Sequence, residues 1–360
     1  MFYRFMAIEK GRGATLNGDS HRFNLPQREA DGDWLDAIEH LDGPIPRRRT
    51  QVTIEHPRTI LTRNASPDIG FSQSINAYRG CEHGCIYCFA RPSHAYHDLS
   101  PGLDFETKLF AKPDAAKLLR AELSKRSYVV APIAMGTNTD PYQPIEKDWR
   151  ITRDILELLV ETGHPTFITT KSDRILRDID LLADLARDGL VAVMVSVTSL
   201  DPAVARTLEP RAPHPLRRID AIRQLSAAGI PVTASISPVI PAITDHEIEA
   251  LVARVAEAGA REVSYIPVRL PHEVAPLFRA WLDTHYPDRA AKVMEIINDL
   301  RGGRDNDPSF GTRMRGQGVW ADLLRTRFTK ARKRAGLGAE RLTLRTDLFH
   351  PPEGAQMRLF

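Results

Sequence analysis

The sequence predicts an α/β protein, a partial (βα)6 barrel of the TIM type with N-terminal and C-terminal extensions. Three observations lead there. Short, almost uninterrupted apolar runs of strand length alternate with segments whose apolar residues recur at helical spacing. A glycine ends four of those helical segments just before the next apolar run, where a helix C-terminus favours a left-handed residue. The runs carry too little alternation to leave one face in water, so they belong to parallel strands covered by helices. Right-handed crossovers wind six such units into a curved partial barrel, the alternative being a doubly wound open sheet.

The elements follow in order. The first strand is expected over 74–80. Residues 112–123 read as a helix and 128–136 as a short strand. Ile151, Ile155, Leu158 and Leu159 share one helix face, which Gly163 stops before the strand 165–170. Ile175, Ile179 and Leu182 mark the next helix, ended by Gly189 before 190–197; Ile219, Ile222 and Leu225 mark another, ended by Gly229 before 230–237. Thr244 and Glu247 have the T-x-x-E spacing of a capping box, and the helix they announce stacks Ile248, Leu251, Val252 and Val255 before Gly259. The strand 262–270 completes the six. The barrel thus occupies 72–287. Residues 1–71 form a Pro-, Gly- and charge-rich extension with one helix expected around 31–41 and a solvated triplet Arg47, Arg48, Arg49. Residues 288–360 add one or two helices, including one over 320–336 with Leu323, Leu324 and Phe328 expected against the barrel, and a final Pro-containing tail.

Composition bounds the function. At 360 residues, 42% hydrophobic and 26% charged, the chain has the make-up of a globular protein, which excludes disordered and collagen-like classes. No apolar run approaches the ~20 residues needed to span a bilayer, and the N-terminal residues lack the apolar core of a secretory signal. Three cysteines packed into eight residues do not make a disulfide framework; with no membrane segment, the expected compartment is the cytoplasm. The net charge of +3 is small, but 301–345 carries a local excess of eight positive charges, leaving −5 on the rest.

In such folds ligands gather at the C-terminal edges of the strands. The edge after the first strand carries Cys81-Glu82-His83-Gly84-Cys85-Ile86-Tyr87-Cys88, a C-x3-C-x2-C spacing that places three thiols on one loop. Two readings stand. An iron–sulfur cluster is usually held by four thiolates, so three would leave one iron open to a non-protein ligand. Alternatively, His83, His94 or His97 completes a tetrahedral zinc site.

The motif, with Tyr87 as the aromatic before its last cysteine, resembles the radical S-adenosylmethionine (SAM) superfamily, whose signature lies after the first strand of a six-unit βα barrel. The resemblance covers about 72–280. Within that superfamily the chain looks most like the group related to spore photoproduct lyase, a DNA-repair enzyme. It implies a [4Fe-4S] cluster on Cys81, Cys85 and Cys88, SAM on the fourth iron, and a lyase or modifying enzyme that abstracts hydrogen through a 5′-deoxyadenosyl radical. It further implies a reductant protein such as flavodoxin or ferredoxin. Thr137, Asn138, Thr139 and Asp140 after strand two, and Lys171 and Ser172 after strand three, are expected near the methionyl end, Lys171 neutralising its carboxylate. Ser196 ends strand four as a candidate for the ribose, while Tyr87, Phe89 and Tyr265 are candidates for the adenine or cluster pocket. Glu209 and Arg211 precede a helix and are within reach of the site, but a surface loop is the preferred reading.

One departure matters. The related lyase group returns hydrogen from a further cysteine in the loop after strand two, where this chain reads Gly136-Thr137-Asn138-Thr139. No fourth thiol exists in the sequence; Tyr142 is the nearest substitute. For the substrate, Arg325, Arg327, Lys330, Arg332, Lys333 and Arg334 crowd one C-terminal helix, so a nucleic-acid partner is an expectation. The competing class is a non-catalytic zinc or iron–sulfur nucleic-acid-binding protein.

Overall fold

A computed structural model describes residues 11–18, 20, 49–338 and 342–352. The helix expected around 31–41 and the residues Arg47 and Arg48 lie outside these. Among the described residues the strands are β1 (Gln51–Ile54), β2 (Thr62–Arg63), β3 (Gln73–Ile75), β4 (Tyr78–Arg79), β5 (Lys108–Ala111), β6 (Ile133–Met135), β7 (Thr166–Thr170), β8 (Val191–Ser196), β9 (Val232–Val239) and β10 (Glu262–Pro267). The main sheet runs β10-β9-β8-β7-β6-β3-β2. Its six strands from β3 to β10 are parallel and lie in chain order, and β2 joins antiparallel at the edge through Thr62 opposite Ser74. This is the expected partial barrel, open between β10 and β2.

Helices cover the outer face. The first four in chain order are α1 (Leu103–Thr107), α2 (Ala115–Leu123), α3 (Glu146–Trp149) and α4 (Ile151–Glu161). They are followed by α5 (Ile179–Arg187), α6 (Pro202–Leu208), α7 (Pro215–Ala227) and α8 (Ile248–Glu257), then by α9 (Val274–His285), α10 (Pro287–Leu300) and α11 (Gly318–Arg334). The stripes foreseen for α4, α5, α7 and α8 are the buried ones: Ile155, Leu159, Leu182, Ile222, Leu225, Leu251 and Val255 are fully enclosed between helix and sheet. Each such side chain contributes ~1.5–3 kcal/mol relative to remaining exposed.

Three expectations are corrected. The first strand does not run over 74–80. It leaves the main sheet after Ile75, and Tyr78–Arg79 pairs instead with β5 in a second sheet of order β1-β5-β4. The break falls at Asn76, whose carbonyl takes the Lys112 ammonium at 2.9 Å and whose side chain serves the loop after β6. The strand expected over 128–136 shrinks to β6 because the Val129 carbonyl is bonded by the Gln73 side chain at 3.0 Å rather than by a ladder. The capping box does not form. The Thr244 hydroxyl accepts from the Ile240 amide at 2.9 Å, and Glu247 turns away to accept from the Ser199 hydroxyl at 2.9 Å and the Leu200 amide at 2.6 Å.

The C-terminal extension uses both ends of the barrel wall. On α11, Leu324 and Phe328 are buried as expected, but Leu323 is exposed. Residues 342–352 run beneath the N-terminal ends of the strands, the Arg345 amide bonding the Gly189 carbonyl and the His350 amide the Thr162 carbonyl, both at 3.0 Å. A Cβ on Gly163 would stand 2.6 Å from the Leu348 carbonyl, so glycine there serves the tail as well as the helix end.

Candidate active site at the cysteine loop

The cysteine loop leaves β4 at the C-terminal edge of the barrel. The Cys81 amide bonds the Phe105 carbonyl at 3.0 Å, and two tight turns follow, Gly84 to Cys81 and Cys88 to Cys85. Gly84 has a φ of +67°, and a Cβ there would meet Glu106 Oε2 at 2.8 Å. The turn therefore requires glycine. Arg91, wholly buried, holds the loop from beneath: it donates to the carbonyls of Cys85 (2.8 Å), Gly84 (3.0 Å), Pro101 (3.0 Å) and Gly102 (2.9 Å), and pairs with Glu106 at 2.6 Å. Glu106 in turn accepts from the amides of Gly13 and Ala14 at 2.9 Å, tying the N-terminal extension to the loop.

Cys81 and Cys85 are buried and Cys88 is partly exposed. Burial pushes all three thiols up, and neighbouring cations oppose it: Lys171 and Arg218 at Cys85, Arg91 and Lys171 at Cys88. Beside them lies a buried charge network centred on Glu209. Its Oε1 accepts from the Tyr87 hydroxyl and from the Thr198 hydroxyl (2.8 Å), its Oε2 meets Arg218 Nη1 at 2.5 Å, and Lys171 Nζ stands 3.9 Å from Oε1. Burial alone would raise this carboxyl, but Arg218 and Lys171 hold it down at about 2. The same ammonium sits 5.8 Å from the centre of the Tyr87 ring.

The ends of β6 and β7 supply a second anchor. The Asn76 side chain bonds the Thr137 hydroxyl and, at 2.9 Å, the Asn138 amide, and the Thr139 hydroxyl donates to the Tyr78 carbonyl at 3.1 Å. Asp140 closes a turn on the Tyr142 amide (2.9 Å) and accepts from the Thr170 hydroxyl and the Lys171 amide, both at 2.7 Å, with His83 Nδ1 at 3.4 Å. Its burial is outweighed by His83 and these donors, so its carboxyl also lies at about 2. Asp140 therefore locks the first residue after β7 to the cysteine loop.

The structure brings together Tyr87, Lys171 and the cysteine loop at one strand edge, with Thr139, Asp140 and Ser172 packed against it. Ser172 caps the short helical turn that follows by accepting from the Arg174 amide at 3.2 Å. Ser196 ends β8 beside Ser235 of β9, and its carbonyl is bonded by Arg218. Phe89 is exposed at the rim. Tyr265 is corrected: its ring packs on Phe328 of α11 with centroids 4.4 Å apart, on the helix-covered side. Tyr142 is fully buried beneath the Arg177 guanidinium. Glu209 is also corrected, from surface loop to the centre of the charge network. Sequence reasoning missed Asn76, Arg91, Thr198 and Arg218, none of which has a local signal, because each acts on partners distant in the chain.

The three histidines proposed as zinc ligands are engaged elsewhere: His83 faces Asp140, His94 Nε2 meets the Lys108 carbonyl at 2.9 Å, and His97 packs on Phe110. Among the described residues no three His, Cys, Asp or Glu side chains stand as a ready group for a single ion. The donor set fits a larger centre held by three thiolates beside three cations.

Residues 75–255 match the profile of the Radical SAM superfamily. An uncharacterised protein of Mycobacterium tuberculosis is 36% identical over 247 residues, 68% of this chain and 72% of its own. The Radical SAM Nalpha-GlyT isomerase of Pseudomonas phage M6 is 27% identical over 240 residues, 65% of this chain and 48% of that one. Among solved structures, spore photoproduct lyase complexed with a dinucleoside spore photoproduct superposes with a TM-score of 0.56 at 15% identity, covering 79% of each chain, which shows a shared fold. The chain belongs to the radical SAM superfamily.

Proposed function

We propose that in this radical SAM enzyme Cys81, Cys85 and Cys88 would hold a [4Fe-4S] cluster and residues at the ends of β6, β7 and β8 would hold SAM. Together these supply reductive cleavage of SAM to a 5′-deoxyadenosyl radical that takes hydrogen from an unreactive C–H bond, chemistry no side chain provides. The observation that carries the reading is the loop of three thiols, two of them buried and Cys88 partly exposed, beside the Lys171–Glu209–Arg218 network. Lys171, held at 3.9 Å from Glu209 rather than in a tight pair, presents an ammonium to the methionyl carboxylate. Thr137, Asn138 and Thr139 form the wall that Asn76 keeps in place, Asp140 and Ser172 fix the backbone around Lys171, and Ser196 offers its hydroxyl to the ribose. Tyr87, pinned by Glu209, gives the site a rigid aromatic floor, and Phe89 shields its rim from water. A reductant protein such as flavodoxin or ferredoxin supplies the electron. Since all three cysteines serve the cluster, hydrogen is not returned by a cysteine of this chain.

The test is anaerobic incubation of reconstituted protein with SAM and dithionite. 5′-Deoxyadenosine is expected from the wild type and not from the variant with Cys81, Cys85 and Cys88 all changed to Ala. A fully loaded wild type that neither binds nor cleaves SAM would overturn the reading.

A further inference from the structure

The basic C-terminal helix is poorly placed to serve this site. Arg327 makes a two-point pair with Glu249 in the first turn of α8, and Arg332 stands 3.7 Å from Glu262, the first residue of β10. Thus α11 descends from the site edge toward the N-terminal ends of the strands. Lys330, Lys333 and Arg334 lie at that lower end, away from the cysteines.

Another basic surface adjoins the cysteine loop. A cleft of ≈ 310 Å³ is lined by His83, Ser172, Asp173, Arg174, Arg211 and Arg217 among others. Its wall is joined to the cysteine loop, for the Arg211 amide bonds the His83 carbonyl at 3.3 Å and the Ile86 amide the Leu208 carbonyl at 3.0 Å. Arg218 holds the Pro213 carbonyl at 2.8 Å, so the segment bearing Arg211 and Arg217 is fixed to the Glu209 network. The three guanidinium groups are unequally matched. Arg217 pairs with Asp173 at 2.5 Å and Arg211 with Glu82 at 3.0 Å, whereas Arg174 is exposed with no acidic partner among the described residues. The cleft itself has three arginines against one carboxylate. Guanidinium groups present paired donors that match phosphate oxygens, and the cleft is at the small end of ligand sites, enough for one nucleotide unit.

We propose that this cleft binds a phosphate group of the substrate, so that the enzyme acts on a nucleotide or on a unit of a single-stranded nucleic acid held next to the SAM site. The inference rests on the radical SAM reading for its chemistry but not for its binding. Arg174 and Arg217 reach the phosphate first, because both are exposed, and Arg211 backs them from the loop.

The experiment uses anaerobically reconstituted holoprotein and a fluorescein-labelled oligothymidylate of eight nucleotides, read by anisotropy across a salt series. The double variant Arg174→Gln, Arg217→Gln is compared with Lys330→Gln, Lys333→Gln, Arg334→Gln on α11. Expected is salt-dependent binding by the wild type, weakened at least tenfold in the cleft variant, with the slope of log K against log salt reduced by about 1.4 for two lost single-strand contacts. The α11 variant should bind as the wild type does. Competition by thymidine monophosphate at comparable phosphate concentration would assign a free nucleotide; competition by unlabelled oligomer alone would assign a phosphodiester. Absence of binding by both oligomer and monophosphate, or loss confined to the α11 variant, would overturn the proposal. Formation of 5′-deoxyadenosine without substrate, measured in parallel, should be unchanged in the cleft variant, which separates failure of this inference from failure of the enzyme reading.

Discussion

Glu209 shows what one residue does here. Among the described residues it is the only carboxylate that meets both Arg218 and Lys171, and it accepts the Tyr87 hydroxyl, so neutralising it leaves two cations without this partner. Glu209→Gln is expected to cost about 3 kcal/mol in chemical denaturation, the range for breaking a buried pair from one side; a cost below ~1 kcal/mol would show that the network does not organise the site. His164 makes a pH prediction. It is fully buried, with Nε2 2.6 Å from the Tyr128 hydroxyl and Nδ1 2.9 Å from the Pro165 carbonyl, and burial lowers it to about 4. Between about 4 and its ordinary 6.5 the unfolded chain takes a proton that the folded chain refuses. Stability therefore falls as pH drops through that window, by about 2 kcal/mol at pH 5, and is unaffected above pH 7. His94, lowered to about 4 by burial, acts in the same direction. His164→Gln should remove roughly half of the acid loss measured by denaturation at pH 7 and pH 5; an unchanged loss would place its origin elsewhere.

At the scale of elements, a local pattern and a tertiary contact competed for Glu247, and the tertiary contact won. In a capping box its carboxylate would satisfy one amide of its own helix; here it satisfies the Ser199 hydroxyl and the Leu200 amide at the end of β8, joining two βα loops. Glu247→Ala is expected to destabilise the protein by about 2 kcal/mol, whereas Thr244→Ser, which keeps the hydroxyl bonded to the Ile240 amide, should cost less than ~0.5 kcal/mol. A cost below ~0.5 kcal/mol for Glu247→Ala would show that its bonds to Ser199 and Leu200 do not hold the two loops together. The amphipathic stripes of α4, α5, α7 and α8 and the glycines that end them were readable because burial and chain reversal act on consecutive turns. The first strand was not, because Asn76 leaves the ladder to organise residues 137–139, sixty positions later.

The whole molecule keeps chemistry and closure at opposite ends. The cysteine loop, the Glu209 network and the basic cleft share the C-terminal edge of the strands, while residues 342–352 close the N-terminal edge, with Phe349 against Tyr128 and His164. Removal of residues 342–360 is therefore expected to lower the denaturant midpoint, with a loss of about 2 kcal/mol or more from two backbone bonds and the Leu348 and Phe349 contacts. Iron content and visible absorption per protein should stay unchanged. Loss of iron in a truncated protein that is still folded would show that the two ends are coupled.

The sequence by itself determined the open βα barrel, its helix stripes, and the loop that carries the three cysteines, because these follow from periodicity and spacing within a few tens of residues. It also assigned Lys171, Asp140 and Tyr87 to the C-terminal strand edge where they lie, since every strand of a parallel barrel delivers its end to the same rim. Only the tertiary structure decided that Glu209 is enclosed, that Tyr265 faces the helix layer and that the α11 cations descend away from the site. It alone showed that Arg91, Asn76 and Arg218 hold the loops in place. Charge pairing and burial depend on which distant segments fold against one another, and no spacing along the chain encodes that.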